Sequence, residues 1–218
     1  LIEKTKVKIN EISDYSLSNV SYYNKYGIIF DLPMSFFEIL FKIDDVNKIY
    51  YFKHLFSFLI FLLSSLVFYR ILQDRYENFF LSFIGISLYV CSPRIFGDSF
   101  FYKDVLFLSF LTFTIYFFLK CIRNMSFNNV FLLSLFSAFS VNLRIFSIII
   151  PFIFFFVIII KSFYLKNFKY MMKRFSSYFL LFFIILFITW PYLWSNPIIN
   201  FFEIFSSLNK DLIDVKIL

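Results

Sequence analysis

The chain has 218 residues, of which 61% are hydrophobic, 26% aromatic and only 16% charged, and its mean hydropathy is +0.79. Soluble domains use roughly 45–50% apolar residues, so this composition argues against a water-soluble globule. The net charge of +7 and pI near 9.3 come from basic residues set mainly between apolar runs, which reads as membrane topology rather than as a surface for nucleic acid.

The 39 phenylalanines fall in nearly uncharged runs. Runs of roughly 16–20 residues are the length a helix needs to cross hydrocarbon, and the expected fold is an all-α, multi-pass transmembrane bundle with a short interfacial helix in its first external segment. The wealth of Phe, Ile, Lys, Tyr and Asn has the look of an AT-rich coding sequence, so no single Phe or Lys carries the argument. Cys91 and Cys121 lie near the ends of different runs without CxxC spacing, which suggests neither a disulfide framework nor a zinc site. The chain starts with Leu and no signal-like segment precedes its polar opening, so the natural start, with an upstream helix, is expected to lie before it.

Residues 1–50 read as an external loop with a juxtamembrane helix, and 51–218 as the transmembrane domain. After a Tyr-rich stretch (Tyr22, Tyr23, Tyr26), Asp31 is placed to cap a helix over 34–43 and Pro33 suits its first turn. Phe36, Phe37, Leu40 and Phe41 share a face away from Glu38 and Lys42. Six spans follow, at 54–72, 78–92, 104–121, 128–143, 145–160 and 176–192, the second and fourth short and interrupted by Ser, Gly or Asn. Arg70 and Arg75, Lys120 and Arg123, and the basic group from Lys161 to Arg174 occupy every second linker, which places those linkers in the cytoplasm. Segments 1–50, 93–103 and 193–218 then face the opposite compartment.

That second side carries the candidate chemistry. The segment from Ser92 to Asp104 holds Arg94, Asp98, Lys103 and Asp104 between two spans. Asp104 and Lys103 stand where the next helix begins, so an N-cap with a snorkelling lysine accounts for them as readily as a site does. Arg144 interrupts an apolar stretch beside Asn142, and an unpaired guanidinium in hydrocarbon costs about 2.5–3.5 kcal/mol on insertion scales. It falls on the same side as Arg94 and Lys103, and three cations there suit a phosphate or diphosphate, while a turn residue reaching interfacial water is the plainer account. His54, the single histidine, reads as a packing or headgroup residue before it reads as a base, and Asp31 as a cap before a substrate contact. Trp190, Tyr192 and Trp194, with Pro191 and Pro197, read first as an aromatic belt closing the last span and second as the wall of a sugar or lipid pocket. No P-loop, GxGxxG or HExxH occurs.

The order Tyr26-Gly27-Ile28-Ile29-Phe30-Asp31-Leu32-Pro33, Lys53-His54-Leu55-Phe56, the 92–104 segment, Leu143-Arg144-Ile145 and Trp190-Pro191-Tyr192-Leu193-Trp194-Ser195-Asn196-Pro197 resembles bacterial membrane glycosyltransferases of the GT-C class, and within it the family 39 or dolichyl-phosphate-mannose protein mannosyltransferase-like proteins. The resemblance implies an N-terminal catalytic-core fragment of an inner-membrane enzyme that takes a sugar from a polyprenyl-phosphate donor to a glycan, lipid or protein acceptor on the periplasmic or luminal side. It implies Asp104 as the second of the family's two carboxylates, Arg94, Lys103 and Arg144 as contacts to the lipid phosphate, and a primary base upstream of the chain, since neither Asp14 nor Asp31 fits that motif. Asp98 or Asp104 would orient the acceptor, fix the basic residues or hold a divalent cation such as Mg or Mn, and no cofactor is demanded. The rival reading is a non-enzymatic flippase or permease subunit that binds a lipid phosphate with the same cations.

Overall fold

The computed structural model describes residues 27–42, 45–98, 102–165 and 167–214. Tyr22, Tyr23 and Tyr26, residues 99–101 and the side chains of Tyr102 and Lys103 lie outside what is described. Nine α-helices and two 3-10 turns make up the described residues, with no strand among them: α1 (Asp31–Leu40), α2 (Val46–Tyr76), α3 (Phe79–Cys91), α4 (Pro93–Asp98), α5 (Tyr102–Arg123), α6 (Phe127–Leu143), α7 (Ile149–Leu165), α8 (Phe168–Thr189) and α9 (Pro197–Asp214), with the turns at Ile145–Ile148 and Pro191–Leu193.

Each of the six apolar runs is a helix. The helices of four of them, α2, α5, α8 and α7 with its preceding turn, are long and apolar enough to cross a membrane, and the chain is a membrane-embedded helical bundle. The 13-residue α3 and 17-residue α6 reach only about 20 and 26 Å at 1.5 Å per residue, short of a hydrocarbon core of about 30 Å. For α6 the surroundings explain this: it packs between α5 and α8, and Val130, Leu133, Ser134, Ser137, Ala138, Ser140, Val141 and Asn142 are buried. Neighbours in the bundle run α3, α2, α5, α6, α8, α7.

Small and hydroxylated side chains mark the helix crossings. Ser64 and Ser109 link α2 to α5 at 3.2 Å, Thr114 and Ser140 link α5 to α6 at 3.2 Å, and Tyr178 donates to Ser137 between α8 and α6 at 3.2 Å. In hydrocarbon, where apolar burial gives helices no preference for each other over lipid, close approach and such bonds hold them together, at about 0.6 kcal/mol each on average.

Local chemistry moves several expected boundaries. Asp45 accepts from the Asn47 N–H at 3.0 Å and starts α2 at Val46, well before the apolar run at 54. Glu77, in the left-handed region at φ 51°, ends α2, and Asn78 caps α3 by accepting from Phe80 and Leu81. The span expected from 145 opens instead as a 3-10 turn, and α7 begins at Ile149 with Pro151 in its first turn, where no intrahelical acceptor awaits an N–H. The 193–218 segment, for which no helix was expected, contains the 18-residue α9.

The two ends of the bundle are distinct. At one, Arg123 meets Asp74 at 2.7 Å, Lys161 donates to the Ile122 carbonyl, and Tyr170 donates to the Met125 carbonyl at 3.2 Å. At the other, the N–H groups of Gly27 and Ile28 donate to the carbonyls of Asn142 (3.3 Å) and Thr189 (3.1 Å). The alternate linkers rich in Lys and Arg therefore do share one end.

Candidate functional site

At the end opposite the basic linkers, Arg144 and Asp104 form an ion pair, with 45% and 61% of their side chains exposed. Asp104 stands in the first turn of α5, where the helix dipole favours a carboxylate. Arg144 is the corner at which α6 stops. Its backbone is extended (φ −144°, ψ 112°), its N–H donates to the Ser140 carbonyl at 2.9 Å, and its own carbonyl accepts from Ser147 at 3.0 Å. The guanidinium is thus neither buried nor unpaired.

Beneath the pair, Asn142 is 1% exposed. Its amide donates to the Ala138 carbonyl (3.0 Å) and the Thr189 hydroxyl (2.7 Å), tying α6 to α8. Gly27 lies so close that a Cβ there would overlap the Asn142 carboxamide. The chain then enters α1, whose Met34 packs with Phe30 and Leu106 against Phe56, Phe110 and Leu143. Leu106 and Leu143 are near neighbours in sequence of Asp104 and Arg144, so α1 buttresses the helix ends that carry the pair. Glu38 of α1 meets Lys53 of α2 at 3.3 Å, a largely buried bridge that the sequence reading did not anticipate.

The other expected residues are spread around this end. Arg94, with 92% of its side chain exposed, pairs with Asp98 at 3.9 Å within α4, so each of the two arginines has a carboxylate of its own. Lys103 is in the first turn of α5, its side chain outside the described set. Asp31 does not cap α1. The cap position is Phe30, with no side-chain bond, and Asp31 is the exposed first helical residue. His54, half-buried on α2, lies against the Tyr50 ring, tilted 48° to it with the centroids 4.0 Å apart.

The aromatic belt expected at 190–194 is only partly on the surface. Trp190 is 1% exposed and belongs to the main core, because the chain turns inward through Pro191–Leu193. Trp194 is exposed and its indole N–H donates to the Phe187 carbonyl at 2.6 Å. Tyr192 donates to Glu203 of α9 at 2.9 Å, and partial burial, then the adjacent carboxylate, pushes its phenol up. An apolar groove of about 780 Å³ runs between α7, α8 and α9, but of the 190–197 segment only Leu193 and Pro197 line it.

Among the described residues no group of three or more His, Cys, Asp or Glu gathers as a metal cage, and Asp98 and Asp104 each face an arginine. Family models, curated proteins and solved structures yield no match to the chain. The reading of the site rests on its own geometry.

Proposed function

We propose that the chain belongs to a membrane glycosyltransferase that moves a sugar from a polyprenyl-phosphate donor to an acceptor hydroxyl, with Asp104 and Arg144 at its centre. The observation that carries this reading is the meeting of a carboxylate and a guanidinium from different helices, both partly open, at the bundle end remote from the basic linkers. Its setting is a bacterial inner membrane with this end toward the periplasm.

The chemistry is an inverting transfer. The acceptor hydroxyl gives its proton to a carboxylate, for which Asp104 and Asp98 are the candidates, while its oxygen bonds to the anomeric carbon. The bond from that carbon to the phosphate oxygen breaks, and the lipid phosphate leaves with the electron pair. Arg144, drawn from Asp104 toward the more highly charged phosphate, stabilises the charge that develops there. Releasing Asp104 from the ion pair at that moment leaves it open to accept the proton.

Transfer from a radiolabelled polyprenyl-phosphate sugar, in membranes carrying the full-length protein, tests this. Asp104→Asn and Arg144→Ala are expected to lower turnover on the order of 10²-fold or more, as loss of a charge-stabilising group does. Undiminished turnover in both removes the site.

One observation favours the non-enzymatic rival: Asp98 and Asp104 are both engaged by arginines, as they would be if they only held cations for a phosphate headgroup. Donor binding without sugar release, with acceptors supplied, selects that reading.

A further inference from the structure

Two helices fall short of the hydrocarbon core, and burial accounts for only one of them, α6. Asp74 meets Arg123 at 2.7 Å, so the turn between α2 and α3 is level with the end of α5. From Arg123, α5 rises about 28 Å to Asp104 at 1.5 Å per residue, close to a hydrocarbon core of about 30 Å. From the same level α3 rises at most about 20 Å, and any tilt shortens its reach. Only Ser92 separates it from α4, and Arg94 is the second residue of α4. The exposed Arg94 guanidinium thus emerges several ångströms below Asp104, at a depth where a flat bilayer presents hydrocarbon.

The surroundings of α3 select lipid as what meets it. It packs chiefly on α2, and Phe79, Phe80, Leu81, Phe83, Ile84 and Leu88 are exposed over more than half of its circumference. Fluid chains wrap a helix from every open side, whereas a docked protein covers one face. Toward α4 the apolar surface stops, since after Leu88 the next exposed residues are Cys91, Pro93 and Arg94. Asp98, 3.9 Å from Arg94, adds a second charge that needs polar surroundings. A charge in hydrocarbon is a large cost and bending a leaflet around one short helix a modest one, so the leaflet yields.

We propose that α3 and Arg94 draw the leaflet at this end inward, so that the bilayer thins beside α3 to about 20 Å and a phospholipid phosphate meets the Arg94 guanidinium. Acyl chains then touch only the apolar band of α3, and α4 lies among headgroups. The indentation stands whether or not the chain transfers sugar.

Depth measurement in the full-length protein tests this. Leu66 of α2 and Leu88 of α3 stand at the same height, about 14–15 Å from the turn that joins the two helices, and are 60% and 70% exposed. A nitroxide is placed on Leu66→Cys or Leu88→Cys with Cys91 replaced, in oleoyl phosphatidylcholine vesicles, and its relaxation by oxygen and by an aqueous nickel chelate is read. Oxygen should reach both labels, and nickel should relax the one at 88 several-fold more than the one at 66. In lauroyl phosphatidylcholine, whose thin core already matches α3, that difference should vanish. Arg94→Leu should lower nickel contact at 88 several-fold, and Arg94→Lys should keep it. Equal nickel contact at 66 and 88 in oleoyl vesicles overturns the proposal. So does exclusion of both reagents from 88, the result if a second copy or another segment covers α3, and so does a difference that persists in lauroyl vesicles, the mark of a fixed water crevice. Unchanged nickel contact in Arg94→Leu overturns the role of Arg94.

Discussion

Arg144 and Asp104 are 40 residues apart in sequence, yet the end of α6 delivers one against the first turn of α5 that holds the other. A pair this exposed contributes little to folding, about 0–1 kcal/mol. Removing it should therefore cost little stability whatever its role, so activity is the informative readout. Arg144→Ala, Asp104→Asn and their combination are expected to unfold within about 1 kcal/mol of the parent in a thermal assay while sugar transfer falls by about 10²-fold or more. Restored turnover in the charge-swapped pair Asp104→Arg with Arg144→Asp would speak for a mere strut.

The contact of Gly27 with Asn142 predicts a contrast between two glycines. Gly27→Ala forces a methyl into the carboxamide and should cost about 1–3 kcal/mol as an overpacked contact, with protease sensitivity rising before α1. Gly97→Ala in α4 meets nothing within 4 Å and should be neutral or gain about 0.5–1 kcal/mol.

Thr189 accepts from Asn142 and donates to the Ile185 carbonyl at 2.6 Å. Thr189→Val keeps the shape and removes both bonds. Reversible unfolding in detergent should show a loss of about 0.6 kcal/mol, with about 1.7 as the upper bound for such a bond between membrane helices. Asn142→Leu should cost more, since it also crowds Gly27.

Docking of α9 should weaken in alkali. The Tyr192 phenol is held above its ordinary value of 10, by partial burial first and by Glu203 second. The folded state therefore keeps its proton where the unfolded chain has lost it, so this contribution is complete below the unfolded pKa and fades as pH rises through the folded one. Hydrogen exchange of α9 followed from neutral pH to above 10 should show increasing opening, and Tyr192→Phe should lack that component.

Orientation is open to direct measurement. A membrane-impermeant maleimide should react with Gly97→Cys from the periplasmic side of intact cells and with Arg75→Cys only after lysis, on a background with Cys91 replaced. Buried Cys121 should stay silent in both. The reverse pattern would invert the topology drawn from the basic linkers.

The helices were legible because length and apolarity alone select a membrane span, and the side on which Arg144 and Asp104 fall followed from counting crossings. Their pairing was not, because it depends on α5 and α6 being neighbours, which hydropathy does not encode. Val46 as the start of α2 was hidden by Asn47, Lys48, Tyr50 and Lys53, residues whose polar tips mask a helix continuing past the hydrocarbon. The helix α9 was missed for a related reason: Asn200, Glu203 and Ser206 dilute its apolar residues, and only their helical spacing betrays it. Trp190 misled because an aromatic-belt rule supposes that a span ends at the surface, whereas this one turns back into the core.

Serine at positions 134, 137 and 140, with the chain's single alanine at 138, sets the width of the crossing between α6 and its two neighbours. Elsewhere the chain is crowded with phenylalanine, 39 in all. At these four positions a benzyl group would prise α6 from α5 and α8. The bundle's geometry thereby marks where that aromatic bias must stop.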